Sequence, residues 1–251
     1  MGKASSTTVK KVSVKKVSAR KTSVSKVRKT RVKKPVFDGP LVSIVMPAHN
    51  AADFIDDAIH SVLGQSYENW ELLIVDDAST DKTLEVVKQF GDERVRVISC
   101  KRNGGAVKAR NRGVRASKGK FLCFLDADDL WQPSKLEKQV AFMREKDCAF
   151  SFASYVFADS KGRPNGKVVR VPETITYRQA LRGGVALVST VMFDMSRFSK
   201  KDMDIADAKN GDVWKKVFDK VENACGIHSV MAIKGYDASI SFWKKMRRGV
   251  R

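Results

Sequence analysis

From residue 41 onward, apolar and polar positions follow one another in blocks. Short apolar-rich runs at 41–46, 71–75, 94–98 and 120–125 are bounded by polar turn residues. Runs of that length suit strands buried on both faces of a parallel sheet. Between them, apolar residues recur at helical spacing over 53–63, 81–90 and 106–116. Ser79 or Asp81 is positioned to cap the second of these helices. A fourth helix is expected from Pro133, because proline suits a first turn. This alternation predicts an α/β fold with right-handed crossovers, a doubly wound, mostly parallel sheet with helices on both faces. Past Cys148 the pattern weakens. Strands are expected at 149–156, 167–171 and 187–193, with a helix at about 213–221.

Two of the apolar runs break off into carboxylates. Leu72-Leu73-Ile74-Val75 is followed by Asp76-Asp77, and Phe121-Leu122-Cys123-Phe124-Leu125 by Asp126-Ala127-Asp128-Asp129. Ligands of open α/β sheets bind beyond the carboxyl ends of the strands. Two acidic strand ends in one sheet therefore imply a shared anionic pocket, suited to a metal ion and to what the metal recruits.

Charge divides the chain. Of a formal net charge of +20, residues 1–34 supply thirteen Lys or Arg and no acid, which leaves about +7 for the other 217 residues. The segment repeats Lys10-Lys11-Val12-Ser13 as Lys15-Lys16-Val17-Ser18 and has few large apolar side chains. It reads as a disordered basic tail over 1–38, preceding a folded domain over 39–251. Such a tail fits adsorption to an anionic membrane or, less well, non-specific nucleic-acid binding. Cys100, Cys123, Cys148 and Cys225 show no close pairing and read as reduced thiols. No stretch approaches the about 20 apolar residues of a membrane span. The expected location is cytoplasmic, at most peripheral at the inner face of a membrane.

Four ordered blocks then resemble family 2 glycosyltransferases. They are Val42-Ser43-Ile44-Val45-Met46-Pro47-Ala48-His49-Asn50, Ser61 to Tyr67 leading into Val75-Asp76-Asp77-Ala78-Ser79-Thr80-Asp81, Asn103-Gly104-Gly105 with Ala109-Arg110-Asn111-x-Gly113, and Leu125-Asp126-Ala127-Asp128-Asp129. The resemblance implies a GT-A-like fold, with a nucleotide-binding half over 39–135 and an acceptor half over 136–251. It also implies inverting transfer from a nucleotide sugar, usually a UDP-sugar, to a saccharide or lipid-linked acceptor. Carboxylates need a cation to hold a diphosphate, and hard oxygen donors favour Mg²⁺ or Mn²⁺.

By that resemblance Asp128 is the first metal ligand and Asp126 assists it, directly or through water or the donor ribose. Asp129 supports them, capping the helix near Pro133. Asp77, with Asp76 beside it, accepts from the uracil N3–H. Pro47, Ala48, His49 and Asn50 border the base, with His49 where the family more often has Tyr. Asn103 belongs to the turn that approaches the ligand. Lys108 and Arg110 pair with phosphate, or Arg110 anchors the Asp77 side of the pocket. Asp212 is the general base, with Gly211 where the family has Glu, and Asp202, Asp204 and Asp207 are its rivals. Trp131 and Trp214 either line the acceptor site or pack in the core. Two other readings fit the sequence: a nucleic-acid-binding protein acting through its tail, and an inactive family member that still binds nucleotide.

Overall fold

A computed structural model describes residues 38–159, 163–164, 166, 168–176, 178–179, 187–203 and 224–234. The elements in chain order are β1 (Val42–Ala48), α1 (Ile55–Leu63), β2 (Trp70–Asp76), α2 (Thr83–Val87), β3 (Val95–Ser99), α3 (Ala106–Ala116), β4 (Phe121–Phe124), α4 (Lys135–Glu145), β5 (Phe150–Ala158), β6 (Thr174–Ile175), β7 (Met192–Asp194) and β8 (Ala224–Lys234). They form one eight-stranded sheet in the order β3-β2-β1-β4-β7-β5-β8-β6.

The first half is parallel throughout, with β1 between β2 and β4 and with β3 at the edge. Every residue of β2 and β4 is buried, as continuous apolar runs require when both faces are covered. Successive side chains alternate between those faces. Val45, Leu73, Val75, Leu122 and Phe124 meet Ala109 and Val114 of α3. Ile44, Met46, Leu72, Ile74 and Cys123 meet Ile55, Ile59 and Val62 of α1 and Leu136 and Val140 of α4. Each fully buried aliphatic side chain contributes roughly 1.5–3 kcal/mol, so the apolar stripes of these helices secure them against the sheet. Helices on both faces are as the alternation predicts.

The second half departs from the expected pattern. Four of the seven strand pairings are parallel, and the antiparallel ones involve β6 or β7. The run 187–193 is not one strand. A single 3₁₀ turn, Val188–Thr190, precedes the three-residue β7, and the Thr190 hydroxyl donates to the Leu187 carbonyl at 2.7 Å to close it. Within 167–171, Val169 makes only an isolated bridge with Tyr155. The helix expected at 213–221 lies outside the described residues.

The cysteine reading is corrected as well. Cys148 and Cys225 are disulfide-bonded across a sequence separation of 77. The parallel pairing of β5 with β8 starts at Ser151 and Cys225, and this pairing brings together two residues whose spacing gives no hint of it. Cys100 and Cys123 are buried free thiols. No helix among the described residues is long and apolar enough to cross a membrane.

Gly113 explains one glycine of the Ala-Arg-Asn-x-Gly block. A Cβ there would stand 2.2 Å from Val45 Cγ1 and 2.9 Å from Cγ2, so α3 lies closer to β1 than any other residue permits. Gly113→Ala should cost about 1–3 kcal/mol by overpacking. Val45→Ala should recover part of that loss, with urea denaturation of the single and double variants as the measurement.

Candidate active site

Three strand ends converge on one cavity. The chain leaving β1, β2 and β4 supplies its rim, and the first turns of α3 close one side. The cavity has a volume of about 550 Å³. Its wall carries Pro47, Ala48, His49 and Asn50 from the end of β1, Asp77 from β2, Asn103 and Arg110 from the α3 region, and Asp126 and Asp128 from beyond β4. The four sequence blocks therefore come together in space. Phe54, Ala51 and Val107 add an apolar wall that sequence reasoning did not find, because nothing in their spacing separates them from helix-packing residues.

The rim is stitched together by short polar links. Asn50, in the left-handed region at φ 50°, accepts the Thr80 amide at 2.8 Å on Oδ1. Its own amide donates to Ser79 Oγ at 3.0 Å. Thr83 Oγ1 accepts the Ala51 amide at 2.8 Å, and Asp81 Oδ2 accepts the Ala52 amide at 3.1 Å. Asp81 is exposed, and the slight desolvation that pushes its carboxyl up is outweighed by bonds from the Thr83 hydroxyl, the Thr83 amide and the Ala52 amide, which hold it below the usual range.

Asp77 sits in a backbone cradle. Its carboxylate accepts the Gly104 amide at 2.9 and 3.0 Å and the Gly105 amide at 2.6 Å. Gly105 holds φ 83°, a conformation that favours glycine, and Asn103 Oδ1 accepts its amide at 3.0 Å. Asp77 is thus only 3% exposed while still facing the cavity. Two expected residues stand apart from the lining. Asp76 is buried and accepts the Ser79 amide at 3.2 Å, so it braces the turn. Lys108 is exposed at the rim, its Cδ folded over Gly104.

Arg110 has a carboxylate partner other than Asp77. Its Nη2 meets Asp126 Oδ1 at 2.5 Å. The Asp126 amide donates to Ser189 Oγ at 3.1 Å, and that hydroxyl donates to Asp129 Oδ2. Asp129 therefore supports the turn through Ser189, and α4 starts only at Lys135, after Ser134. Ser189, which the sequence did not single out, holds both ends of the carboxylate turn. Trp131 packs in the core, 4% exposed, with Nε1 donating to the Ser189 carbonyl at 2.8 Å. Lys135 is fully buried, its Nζ 3.7 Å from the Trp131 ring centre and 3.5 Å from Cys123 Sγ. Asp202 accepts the Ser199 amide and hydroxyl in a surface turn. Asp204, Asp207, Asp212 and Trp214 lie outside the described residues.

Among the described residues, no three His, Cys, Asp or Glu side chains gather into a self-sufficient metal site. Asp126 and Asp128 do offer hard oxygen donors on the cavity wall. That set suits Mg²⁺ or Mn²⁺, which bind through one or two carboxylates and complete their shells with phosphate oxygens and water.

Fold and sequence together mark a GT-A-type glycosyltransferase. The description "Glycosyl transferase family 2" matches residues 43–203, and the chain belongs to that family. A Bacillus subtilis (strain 168) glycosyltransferase assigned to teichuronic acid biosynthesis, TuaG, is 38% identical over 215 residues, covering 83% of this chain and 85% of the relative. The Escherichia coli UDP-Glc:alpha-D-GlcNAc-diphosphoundecaprenol beta-1,3-glucosyltransferase WfgD is 38% identical over 156 residues, covering 62% of this chain and 61% of WfgD. Among solved structures, S. aureus TarS 1–349 in complex with UDP-GlcNAc superposes with a TM-score of 0.63 at 20% identity, over 80% of this chain and 60% of that one. The mannosyltransferase PcManGT of Pyrobaculum calidifontis, in complex with GDP-Man and Mn²⁺, gives 0.58 at 18% identity, over 85% and 64%.

Two stability measurements probe this region. Ser189→Ala removes a hydroxyl that serves a buried carboxylate and should cost about 1.5–3 kcal/mol in urea denaturation. Burial holds the Lys135 ammonium below its ordinary 10.5, with the Cys123 thiol opposing the shift. The folded state thus binds the proton less well than the unfolded chain, and wild-type stability rises with pH between the two pKa values. Lys135→Met should be the more stable protein at neutral pH, with the gap closing toward about pH 10.

Proposed function

We propose that this chain is an inverting, divalent-metal-dependent glycosyltransferase. It moves a sugar from a nucleotide sugar, first of all a UDP-sugar, to a saccharide or lipid-linked acceptor. The observation that carries the reading is the convergence of all four sequence blocks on one cavity beyond the ends of β1, β2 and β4. Its volume lies within the roughly 300–1,000 Å³ of small-ligand sites. WfgD, by its name, uses UDP-Glc and a diphosphoundecaprenol-linked acceptor, and this supports both the donor and the acceptor class.

In this reading the base lies against Pro47, Ala48, His49 and Asn50, with a carboxylate oxygen of Asp77 accepting from it. The Gly104 and Gly105 amides keep that carboxylate fixed. The diphosphate lies toward Asp126 and Asp128, which would hold Mg²⁺ or Mn²⁺. Such an ion, when bound, stabilises negative charge on the departing diphosphate as a Lewis acid. Arg110 pairs with Asp126 and keeps it oriented, and Asp128 is the leading ligand by its place as the second carboxylate of the Asp126-Ala127-Asp128 pattern. Lys108 at the rim supplies a further positive charge for phosphate. Asp212 takes the proton of the attacking acceptor hydroxyl as the anomeric carbon is approached from the face opposite the leaving group. Its role rests on the Asn210-Gly211-Asp212-Val213-Trp214 pattern.

Calorimetry of UDP with and without Mn²⁺ tests the donor site. Metal-dependent binding should vanish in Asp128→Ala, while Asp212→Asn should keep UDP affinity and lose transfer. Absence of UDP binding under every metal condition would refute the donor assignment.

A further inference from the structure

The two faces of the sheet differ in charge: the α3 face exposes one sign, the other face both. Between Glu93 and Asp126 the chain has no Asp or Glu, and eight of its Lys and Arg residues there are exposed. Four of them, Lys108, Arg112, Arg115 and Lys118, recur at intervals of four, three and three residues. On α3 this spacing sets Lys108, Arg112 and Arg115 along one outward stripe, and Lys118 follows just after the helix ends at the extended Ser117. Lys200 and Lys201 are exposed beside its far end, where Lys200 Nζ donates to the Arg115 and Ser117 carbonyls at 2.8 and 2.6 Å. Across the sheet, α1, α2 and α4 mix the signs, exposing Asp56, Asp57, Glu85, Glu137 and Glu145 with Lys88, Lys138 and Arg144.

A solvated helix face ordinarily mixes both signs, because like charges three and four residues apart repel. On α3 that repulsion is kept along the whole outer face, and an anionic surface relieves it. The stripe also has useful ends. Lys108 stands at the cavity rim, folded over Gly104. The Lys118 amide donates to Ser43 Oγ at 3.1 Å, at the start of β1.

We propose that the outer face of α3 docks on the anionic headgroups of a lipid leaflet. The cavity mouth then lies beside the leaflet, at headgroup level, and α1 and α2 face water. The proposal rests on the reading of the acceptor as lipid-linked, which favours a leaflet over a nucleic acid as the polyanion met by this face. It adds a docking surface on the folded domain to whatever the tail contributes.

The test uses the full chain and needs neither donor nor acceptor. Flotation is measured with vesicles of phosphatidylcholine alone and with roughly a third phosphatidylglycerol, at low and high salt. Arg112→Ser/Arg115→Ser/Lys118→Ser should lower partitioning onto the anionic vesicles by roughly 100-fold, about fivefold for each basic residue near the surface. The charge-keeping Arg112→Lys/Arg115→Lys/Lys118→Arg should bind as wild type does. All three substituted residues are exposed, and an unchanged thermal midpoint shows that the fold is intact. Equal partitioning of the serine variant and wild type would overturn the proposal, with the tail accounting for binding. So would loss of duplex-DNA affinity with vesicle affinity unchanged. Sugar transfer to a water-soluble acceptor reports separately on the enzymatic reading: transfer without vesicle docking rejects this inference alone, and docking without transfer rejects only the other.

Discussion

The site depends on how three carboxylates are held within four residues. Asp126, Asp128 and Asp129 follow β4 directly, and unpartnered charges at that spacing repel one another strongly in a partly buried turn. Arg110, itself 3% exposed, sits against Asp126. Ser189 binds the Asp126 amide and the Asp129 carboxylate together. The donors come from opposite directions in the chain, one from α3 and one from the turn before β7. The carboxylate turn is therefore built only when the segment 187–194 has inserted between β4 and β5. Asp128 stands on the cavity wall beside the Arg110–Asp126 pair.

The helix α3 joins site, core and surface. Its inner side is made of small residues, with Ala109 fully buried and Gly113 against Val45, so the helix lies close on β1 and β2. That closeness brings Arg110 into the cavity and the Gly104 and Gly105 amides onto Asp77. Its outer side carries only cations. A single eleven-residue helix thus sets the distance between the nucleotide end of the cavity and the carboxylate turn. It also determines which charged face the protein turns outward.

The first half of the fold was legible because its strands are buried on both faces. A continuous apolar run, a polar break and a helical stripe leave little freedom in topology once crossovers are right-handed, and elements from β1 to α4 fall within a few residues of the pattern. The residues that line the cavity were legible for a related reason: strand ends in such a sheet are where polar side chains must collect. The second half was not. β7 is three residues long and antiparallel, β8 pairs with a strand more than sixty residues earlier, and the Cys148–Cys225 link follows from that pairing alone. Long-range partners of this kind leave no period in the sequence.

The sequence by itself determined the class of chemistry. Its carboxylates at two strand ends, its Asn-Gly-Gly turn and its buried apolar runs each follow from local pattern and local sterics. Only the tertiary structure decided which polar group answers which. It paired Arg110 with Asp126 and gave Asp77 to two backbone amides. It turned Asp76 into a brace, put Trp131 in the core and brought Ser189 from the other half of the chain to the carboxylate turn. Those choices are made by distances between segments far apart in sequence, set by how closely α3, β4 and the 187–190 turn pack, and no local pattern encodes them.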